Sequence, residues 1–114
     1  MDKVVVLTTS PGQEQAESLA AALLESRLAA CVQTLPGLVS FYRWQGRMER
    51  ASEVLLIIKT VRARLPELIA TVERLHPYEI PEVLALPVAA GLPTYLRWLE
   101  EETKETDATE PHPL

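Results

Sequence analysis

One short stretch of this sequence holds most of the side chains that could do chemistry. Around two prolines, the segment at residues 76–82 carries an imidazole, a phenol and two carboxylates: His76, Tyr78, Glu79 and Glu82. Because proline fixes its own φ and biases the residue before it towards extended backbone, we expect a stiff connector. An imidazole, alone or with carboxylates, can bind Cu(II) or Zn(II). The alternative role of His76 is to end the preceding helix, where a positive charge favours the helix dipole.

The single cysteine, Cys31, is the softest candidate metal ligand, and Cu(I) prefers soft sulfur ligands. It cannot form an intrachain disulfide, which fits a reducing cytoplasm. The alternative is that Cys31 packs as a small hydrophobic residue at the start of an apolar strand. Cys31 and His76 are thus the predicted metal ligands, for copper or another divalent ion that folding does not require.

Three further residues extend the candidate site beyond the connector. Lys59 ends an apolar strand, and a lysine in such surroundings needs a partner. Glu79 or Glu82 is the expected partner, either in an ion pair or in a cleft that binds a small anionic ligand. Tyr42 and Trp44 are two residues apart, so they share one face of their strand, as interface core or as a cleft wall. The predicted ligand-binding residues are Tyr42, Trp44, Lys59, Tyr78, Glu79 and Glu82.

The composition narrows the classes of partner. A chain of 114 residues is expected to form one domain. Its net charge of −5 argues against nucleic acid and anionic membranes, because both bind basic surfaces. The apolar runs are far shorter than the ~20 residues of a spanning helix, and the N-terminus lacks a signal-peptide pattern, so we expect a cytoplasmic protein. Residues 1–102 are predicted to form the domain, and the polar residues 103–114 a disordered tail.

The periodicity of apolar residues predicts an alternating order of strands and helices. The strands are expected at residues 4–9, 31–45, 47–60 and 83–88, and the helices at residues 10–27, 65–75 and from 93 onward. Ser10 is expected to cap the first helix, with Pro11 at its first position. The order β-α-β-β-α-β followed by a helix is the ferredoxin-like arrangement, in the α+β class.

The sheet is expected to be buried on both faces. The first and third strands are continuously apolar and suit its centre, whereas Pro36 and Pro87 place the second and fourth strands at its edges. Two helices cover only one face, yet residues 54–58 are apolar without alternation. We therefore predict an oligomer whose sheets pack face to face, with the hairpin reaching onto a neighbour. The alternative is a monomer whose third helix folds across the sheet.

Five short stretches stand out along the chain: LAACV at residues 28–32, YRWQG at 42–46, the strand at 55–60, the segment at 76–82 and PTYLRW at 93–98. Together these motifs resemble the CutA family. The resemblance covers about residues 4–101, in the family's order and spacing. It implies a ferredoxin-like subunit in a tight homotrimer, similar in architecture to the PII signalling proteins. It also implies a role in tolerance of divalent metals, with copper binding. Gln33 and Leu92 stand where the family usually has asparagine, and Leu92 cannot cap the last helix.

Three functions are compatible with these residues. The first is a metal-responsive homotrimer that binds copper or another divalent ion through Cys31 and His76. The second is a PII-like sensor in which the connector, Lys59 and the face of Tyr42 and Trp44 line an intersubunit cleft for an anionic metabolite. The third is an enzyme with Cys31 as nucleophile and His76 as base. We expect a binding protein and not an enzyme, since no third residue that would orient such a base is evident in the sequence.

Overall fold

The computed structural model describes residues 3–105, and residues 1–2 and 106–114 lie outside this range. The strands are β1 (Lys3–Ser10), β2 (Cys31–Trp44), β3 (Arg47–Val61) and β4 (Leu84–Pro87); the helices are α1 (Gln13–Glu25), α2 (Leu65–Leu75) and α3 (Pro93–Glu102). A single 3-10 turn, Arg62–Arg64, precedes α2. None of these helices has both the length and the apolar character to cross a bilayer.

The four strands form one antiparallel sheet in the order β2-β3-β1-β4. The ferredoxin-like α+β fold is therefore confirmed, with the two continuously apolar strands at the centre and the two proline-containing strands at the edges. A two-residue turn joins β2 to β3. Its residues, Gln45 and Gly46, have φ of 50° and 78°, as in the type I′ turns that suit the twist of a hairpin.

The start of α1 differs from the prediction. Ser10 does not cap the helix, because β1 continues through it and pairs Ser10 with Val54. The helix begins three residues later, after an extended Gly12 with no side-chain cap. Gln13, the first residue of the helix, donates from Nε2 to Glu17 at 2.9 Å and to Thr34 at 3.1 Å. The pairing of Ser10 within the sheet thus prevails over its local capping preference.

The main core lies between the sheet and the helices α1 and α2. Alternate residues of β1 and β3 point into it, and the two helices contribute one apolar stripe each. The buried core residues include Val4, Val6, Leu56 and Ile58 from the sheet, Ala16, Leu19 and Leu23 from α1, and Leu68 and Val72 from α2. Packing of this face leaves the intervening residues of each strand on the opposite face, which is called here the second face.

Helix α3 covers one end of the second face. Tyr95 in its first turn contacts Cys31, which lies opposite Lys59 on this face. Leu99 is 2% exposed, and Lys3 at the start of β1 forms an ion pair with Glu100 at 3.3 Å. The predicted tail begins within the described range, where the Thr103 hydroxyl donates to the Leu99 carbonyl at 2.8 Å. The remainder of that predicted tail, residues 106–114, lies outside the described residues.

The rest of the second face is open in the single chain. Leu35 on β2 is 56% exposed, and Leu84 and Leu86 on β4 are 58% and 46% exposed. Their register places them beside Leu55, Leu7 and Val5, so they belong to one apolar surface. Isolated exposed leucines are ordinary, but a contiguous group on one sheet face indicates a contact surface.

Replacing Leu99 tests the attachment of α3. Leu99→Ala should lower the free energy of unfolding by about 2–5 kcal/mol, because it leaves a cavity between α3 and the sheet. Leu92→Ala is the matched control, since Leu92 is exposed and its truncation should cost no more than about 0.5 kcal/mol. Urea unfolding at one fixed protein concentration measures both. Equal losses would show that α3 is not anchored through Leu99.

Candidate functional site

A cleft of about 580 Å³ opens between the outer half of the β2–β3 hairpin and the connector at residues 76–82. The hairpin contributes Ser40, Phe41, Tyr42, Trp44 and Glu53, and the connector contributes Pro77, Tyr78, Glu79, Ile80 and Glu82. Thr9, near the end of β1, completes the lining. Five of the six predicted ligand-binding residues therefore lie around one cavity, and only Lys59 is elsewhere.

An irregularity in β2 aims the aromatic residues at this cleft. The register between β2 and β3 steps from Leu35↔Leu55 to Leu38↔Glu53, so β2 carries one extra residue at this point. The extra residue is accommodated at Pro36 and Gly37, where Gly37 has φ of 91°. A β-bulge of this kind exchanges the two faces of the strand beyond it. In a regular strand Leu35 and Tyr42 would point to opposite faces, because one residue number is odd and the other even. The bulge between them places both side chains on the second face.

His76 fixes the start of the connector through both ring nitrogens. The backbone N–H of Tyr78 donates to Nδ1 at 3.1 Å, which makes Nδ1 the acceptor. Nε2 therefore carries the proton and donates to the Thr9 carbonyl at 2.6 Å. The His76 and Tyr78 rings also pack against each other, with centroids 4.7 Å apart. Neither nitrogen has a free lone pair for a metal while these bonds are formed.

Within the cleft, Tyr78 of the connector meets Glu53 of the hairpin. The Tyr78 hydroxyl donates to Glu53 Oε2 at 2.9 Å. Burial raises the pKa of Tyr78 to about 12, and the hydrogen bond and negative charge of Glu53 act in the same direction. A phenol that must give its proton to water loses this bond and faces a carboxylate. Tyr78 therefore stays neutral and a donor throughout the physiological range of pH.

Glu53 is a buried carboxylate without a counter-ion in the described part of the chain. Glu53 is only 7% exposed to solvent. Within residues 3–105, Tyr78 is its only hydrogen-bond partner and no basic side chain forms an ion pair with it. Buried charges in proteins are normally paired or bound to an ion. The cleft also carries Glu79 and Glu82, so its charged lining is entirely acidic.

Sequence reasoning missed Glu53. The signal was present, because Glu53 directly precedes the apolar run that starts at Val54 and shares its face with Leu55 and Ile57. A charge at that position of a strand with two covered faces must either meet a partner or line a cavity. Whether Glu53 meets a partner or lines a cavity depends on where the connector lies, and the sequence of the strand alone does not show that.

The predicted metal ligands lie far apart. Cys31 pairs with Lys59, which pairs with Val5, whereas His76 binds Thr9. Val5 and Thr9 are four residues apart on β1, which is about 13 Å along a strand. Among residues 3–105, no three His, Cys, Asp or Glu side chains are grouped so that they could hold a metal ion.

Cys31 and Lys59 have other partners than those expected. Tyr95 of α3 lies against the Cys31 thiol, and burial, followed by the interaction with Cys31, raises the pKa of Tyr95. The Lys59 ammonium donates to Gln33 Oε1 on the neighbouring strand. The expected ion pair of Lys59 with Glu79 or Glu82 is therefore wrong, because the sheet register holds Lys59 beside β2 and away from the connector.

Together these features define a ferredoxin-like α+β protein with an acidic, aromatic cleft beside a long hairpin. A family model described as CutA1 divalent ion tolerance protein matches residues 4–102, and the chain belongs to this family. The resemblance found in the sequence motifs is confirmed.

Relatives agree with this assignment over most of the chain. A divalent-cation tolerance protein CutA of Thermus thermophilus is 52% identical over 99 residues, which are 87% of this chain and 96% of that protein. Protein CutA of Mus musculus is 46% identical over 84% of this chain, but the match spans only 54% of the mouse protein.

Solved structures have the same fold. A divalent cation tolerance protein structure from Thermus thermophilus gives a TM-score of 0.88 at 50% identity, covering 90% of this chain and 99% of that one. The CutA crystal structure from Xylella fastidiosa gives a TM-score of 0.89 at 42% identity, covering 91% of this chain and 100% of that one.

The Tyr78 hydrogen bond predicts a pH-dependent difference in stability. The native pKa of about 12 lies above the value of 10 for an unperturbed tyrosine. The stabilisation is therefore complete below pH 10 and is lost as the pH rises from 10 to 12. At pH 8 the free energy of unfolding of the wild type should exceed that of Tyr78→Phe by about 1.5–3 kcal/mol, the usual contribution of a hydrogen bond to a charged group.

Urea unfolding at pH 8 and pH 11 measures this difference. The gap between wild type and Tyr78→Phe should be smaller at pH 11, since only the wild type has the titrating phenol. A gap of the same size at both values of pH would show that the hydrogen bond to Glu53 does not stabilise the native state.

Proposed function

We propose that this protein contributes to divalent-cation tolerance by binding cations reversibly in the cleft between the hairpin and the connector. The buried Glu53 carboxylate, which has no counter-ion among the described residues, carries this proposal. Glu79 and Glu82 add negative charge at the same cavity. Oxygen ligands suit hard divalent ions, which commonly keep several waters and need only one or two carboxylates. A partly hydrated ion fits a cleft in which three ligands do not converge.

The proposal includes copper, for which the chain offers two possible binding sites. Cu(II) can bind the carboxylates of the cleft, whereas Cu(I) would select the thiol of Cys31. His76 would have to give up a hydrogen bond to become a ligand. The distance between Cys31 and His76 does not favour one shared site, so we assign the main binding to the carboxylates.

A PII-like sensor of anionic ligands has less support from the geometry. The lysine expected in such a cleft, Lys59, contacts Gln33 instead. The charged groups that line the cavity are carboxylates, which repel an anionic metabolite. The cleft therefore favours a cation over an anion, and the likeness to PII proteins concerns architecture.

We further propose a binding role in the cytoplasm and not a catalytic one. The Cys31 thiol faces Tyr95 and lies far from His76, so the two do not form a nucleophile and base pair. The single cysteine of the chain suits a reducing compartment. Relatives from Arabidopsis thaliana and Oryza sativa are named chloroplastic, and a structure from Archaeoglobus fulgidus is described as periplasmic.

A homotrimer is proposed as the working form. The open leucines of the second face support it, together with the continuous apolar run of β3. Burial of such a surface between copies contributes roughly 25 cal/mol for each Å² removed from water. The hairpin, which extends well beyond the part of the sheet covered by α1 and α2, is the natural arm to reach a neighbouring subunit.

Titration of the cleft with divalent ions tests the proposed function. Calorimetry with Mn²⁺, Zn²⁺ and Cu²⁺ should show binding that Glu53→Gln weakens at least tenfold, about 1.4 kcal/mol. The amide keeps an acceptor for Tyr78, so the variant should fold. Glu73→Gln on the exposed side of α2 is the matched control and should bind as the wild type does. Equal affinities of Glu53→Gln and wild type would show that the cleft is not the cation-binding site. Selective loss of copper binding in Cys31→Ser would place the copper site at Cys31.

Sedimentation measures the proposed assembly. The wild type at micromolar concentration should have three times the 12.7 kDa mass of one chain. Ile57→Asp should abolish assembly, because it places a charge in the centre of the second face. Leu35→Asp, at an exposed position of the same face, should do so without unfolding the chain. Leu24→Asp, at a position on α1 that is also exposed, is the control and should still assemble. A trimeric Leu35→Asp protein would exclude the second face as the contact.

A further inference from the structure

The cleft has a feature that binding of an inorganic ion does not require, namely aromatic walls. Tyr42 and Trp44 stand on one side, brought there by the bulge in β2, and Tyr78 stands on the other. Glu53 lies in the same cleft, held by the Tyr78 hydroxyl. Ring faces are electron-rich, so rings around a buried carboxylate create a place of strongly negative potential with apolar sides.

The size of the cleft also exceeds the needs of a metal ion. A volume of about 580 Å³ lies within the range of small-molecule sites, which are mostly apolar with a few placed polar groups. A hydrated divalent ion gains little from ring faces, because it holds its water tightly. An alkylammonium ion sheds water easily and gains from both the rings and the carboxylate.

The neighbouring part of the hairpin already contains such a contact. The guanidinium carbon of Arg50 lies 5.9 Å from the centre of the Phe41 ring. Phe41 and Arg50 are directly opposite each other in the hairpin register. This pair occupies the ring of Phe41, and His76 packs against part of the Tyr78 ring. Tyr42, Trp44 and the uncovered part of Tyr78 are therefore the ring surfaces of the cleft that can receive a cation from solution.

We propose that the cleft is a binding site for small organic cations of the alkylammonium class, held between Tyr42, Trp44 and Tyr78 and neutralised by Glu53. Glu79 and Glu82 at the connector attract the cation into the cleft. This inference goes beyond divalent-cation binding, because it needs the aromatic side chains as well as the carboxylates. The two kinds of cation share Glu53 and therefore compete for the cleft.

The two tryptophans provide a direct measurement. Trp44 lines the cleft, whereas Trp98 lies on α3 and contacts Tyr95, with ring centroids 5.6 Å apart. In a proton–nitrogen correlation spectrum, tetramethylammonium chloride should shift the indole signal of Trp44 in a saturable way and leave that of Trp98 in place. The Trp98→Phe variant assigns the two signals. Sodium chloride keeps the ionic strength constant in all samples.

Two comparisons separate the cation–ring contact from other effects. The uncharged molecule tert-butanol, of similar size, should cause no saturable shift at the same concentration. Trp44→Leu should weaken tetramethylammonium binding about 5- to 30-fold, followed through backbone signals of the connector, while Trp44→Phe should recover much of the loss. Glu53→Gln should weaken binding to a similar degree because it removes the buried charge.

Each outcome decides between the two proposals. Binding of tetramethylammonium without binding of Mn²⁺ supports the organic-cation site and rejects the proposed metal site. Binding of Mn²⁺ without tetramethylammonium overturns the inference and leaves the metal proposal standing. Equal shifts with tert-butanol, or a Trp44→Leu variant that binds as tightly as Trp44→Phe, also overturn it. Competition between Mn²⁺ and tetramethylammonium supports one shared cleft.

Discussion

The connector at residues 76–82 is joined to the sheet by a short chain of hydrogen bonds on which the cleft depends. Thr9 accepts from His76, His76 accepts from the backbone of Tyr78, and the hydroxyl of Tyr78 donates to Glu53. The two prolines restrict the backbone on either side of Tyr78, so few conformations remain once these bonds form. The bonds thereby set the distance between the connector and the hairpin, and with it the width of the cleft.

The same chain explains why His76 is better understood as a support than as a ligand. Its role requires the neutral ring with the proton on Nε2, because Nδ1 must accept. A carbonyl bound to one ring nitrogen fixes the tautomer and the orientation of the ring. The functional groups of the cleft are then the residues that His76 positions, namely Tyr78 and, through it, Glu53. A histidine in a dense polar motif can thus organise a site without touching what binds there.

Much of the fold could be predicted from local patterns, because periodicity, turn residues and proline positions are properties of short stretches. The strand order, the hairpin of the second and third strands and the edge positions of the strands that carry Pro36 and Pro87 all follow from such stretches. The start of α1 did not, since the strand pairing of Ser10 involves Val54, far away in the chain. Propensities weigh local choices, and a long-range ladder can override them.

The cleft was predictable only in part, for a related reason. The sequence shows that Tyr42 and Trp44 share a face, but the bulge decides which face of the sheet that is. It also shows the carboxylates of the connector, but not that Glu53 meets Tyr78. The partner of Lys59 was predicted wrongly because Gln33 lies on an adjacent strand, and adjacency depends on register. The cleft combines residues from three separate segments, and contacts of this kind are known only from the tertiary structure.

The proline in the bulge has a second consequence, for the solubility of a protein with a long edge strand. β2 has 14 residues at the margin of the sheet, and an edge of this length offers unpaired backbone groups to any passing strand. Pro36 lacks an N–H, and the bulge interrupts the regular spacing of backbone hydrogen-bonding groups. A strand from another molecule therefore cannot pair along the whole edge. Pro87 acts similarly on β4 at the opposite margin. The molecule can therefore expose an apolar sheet face for specific contacts while its margins resist fibril-like growth.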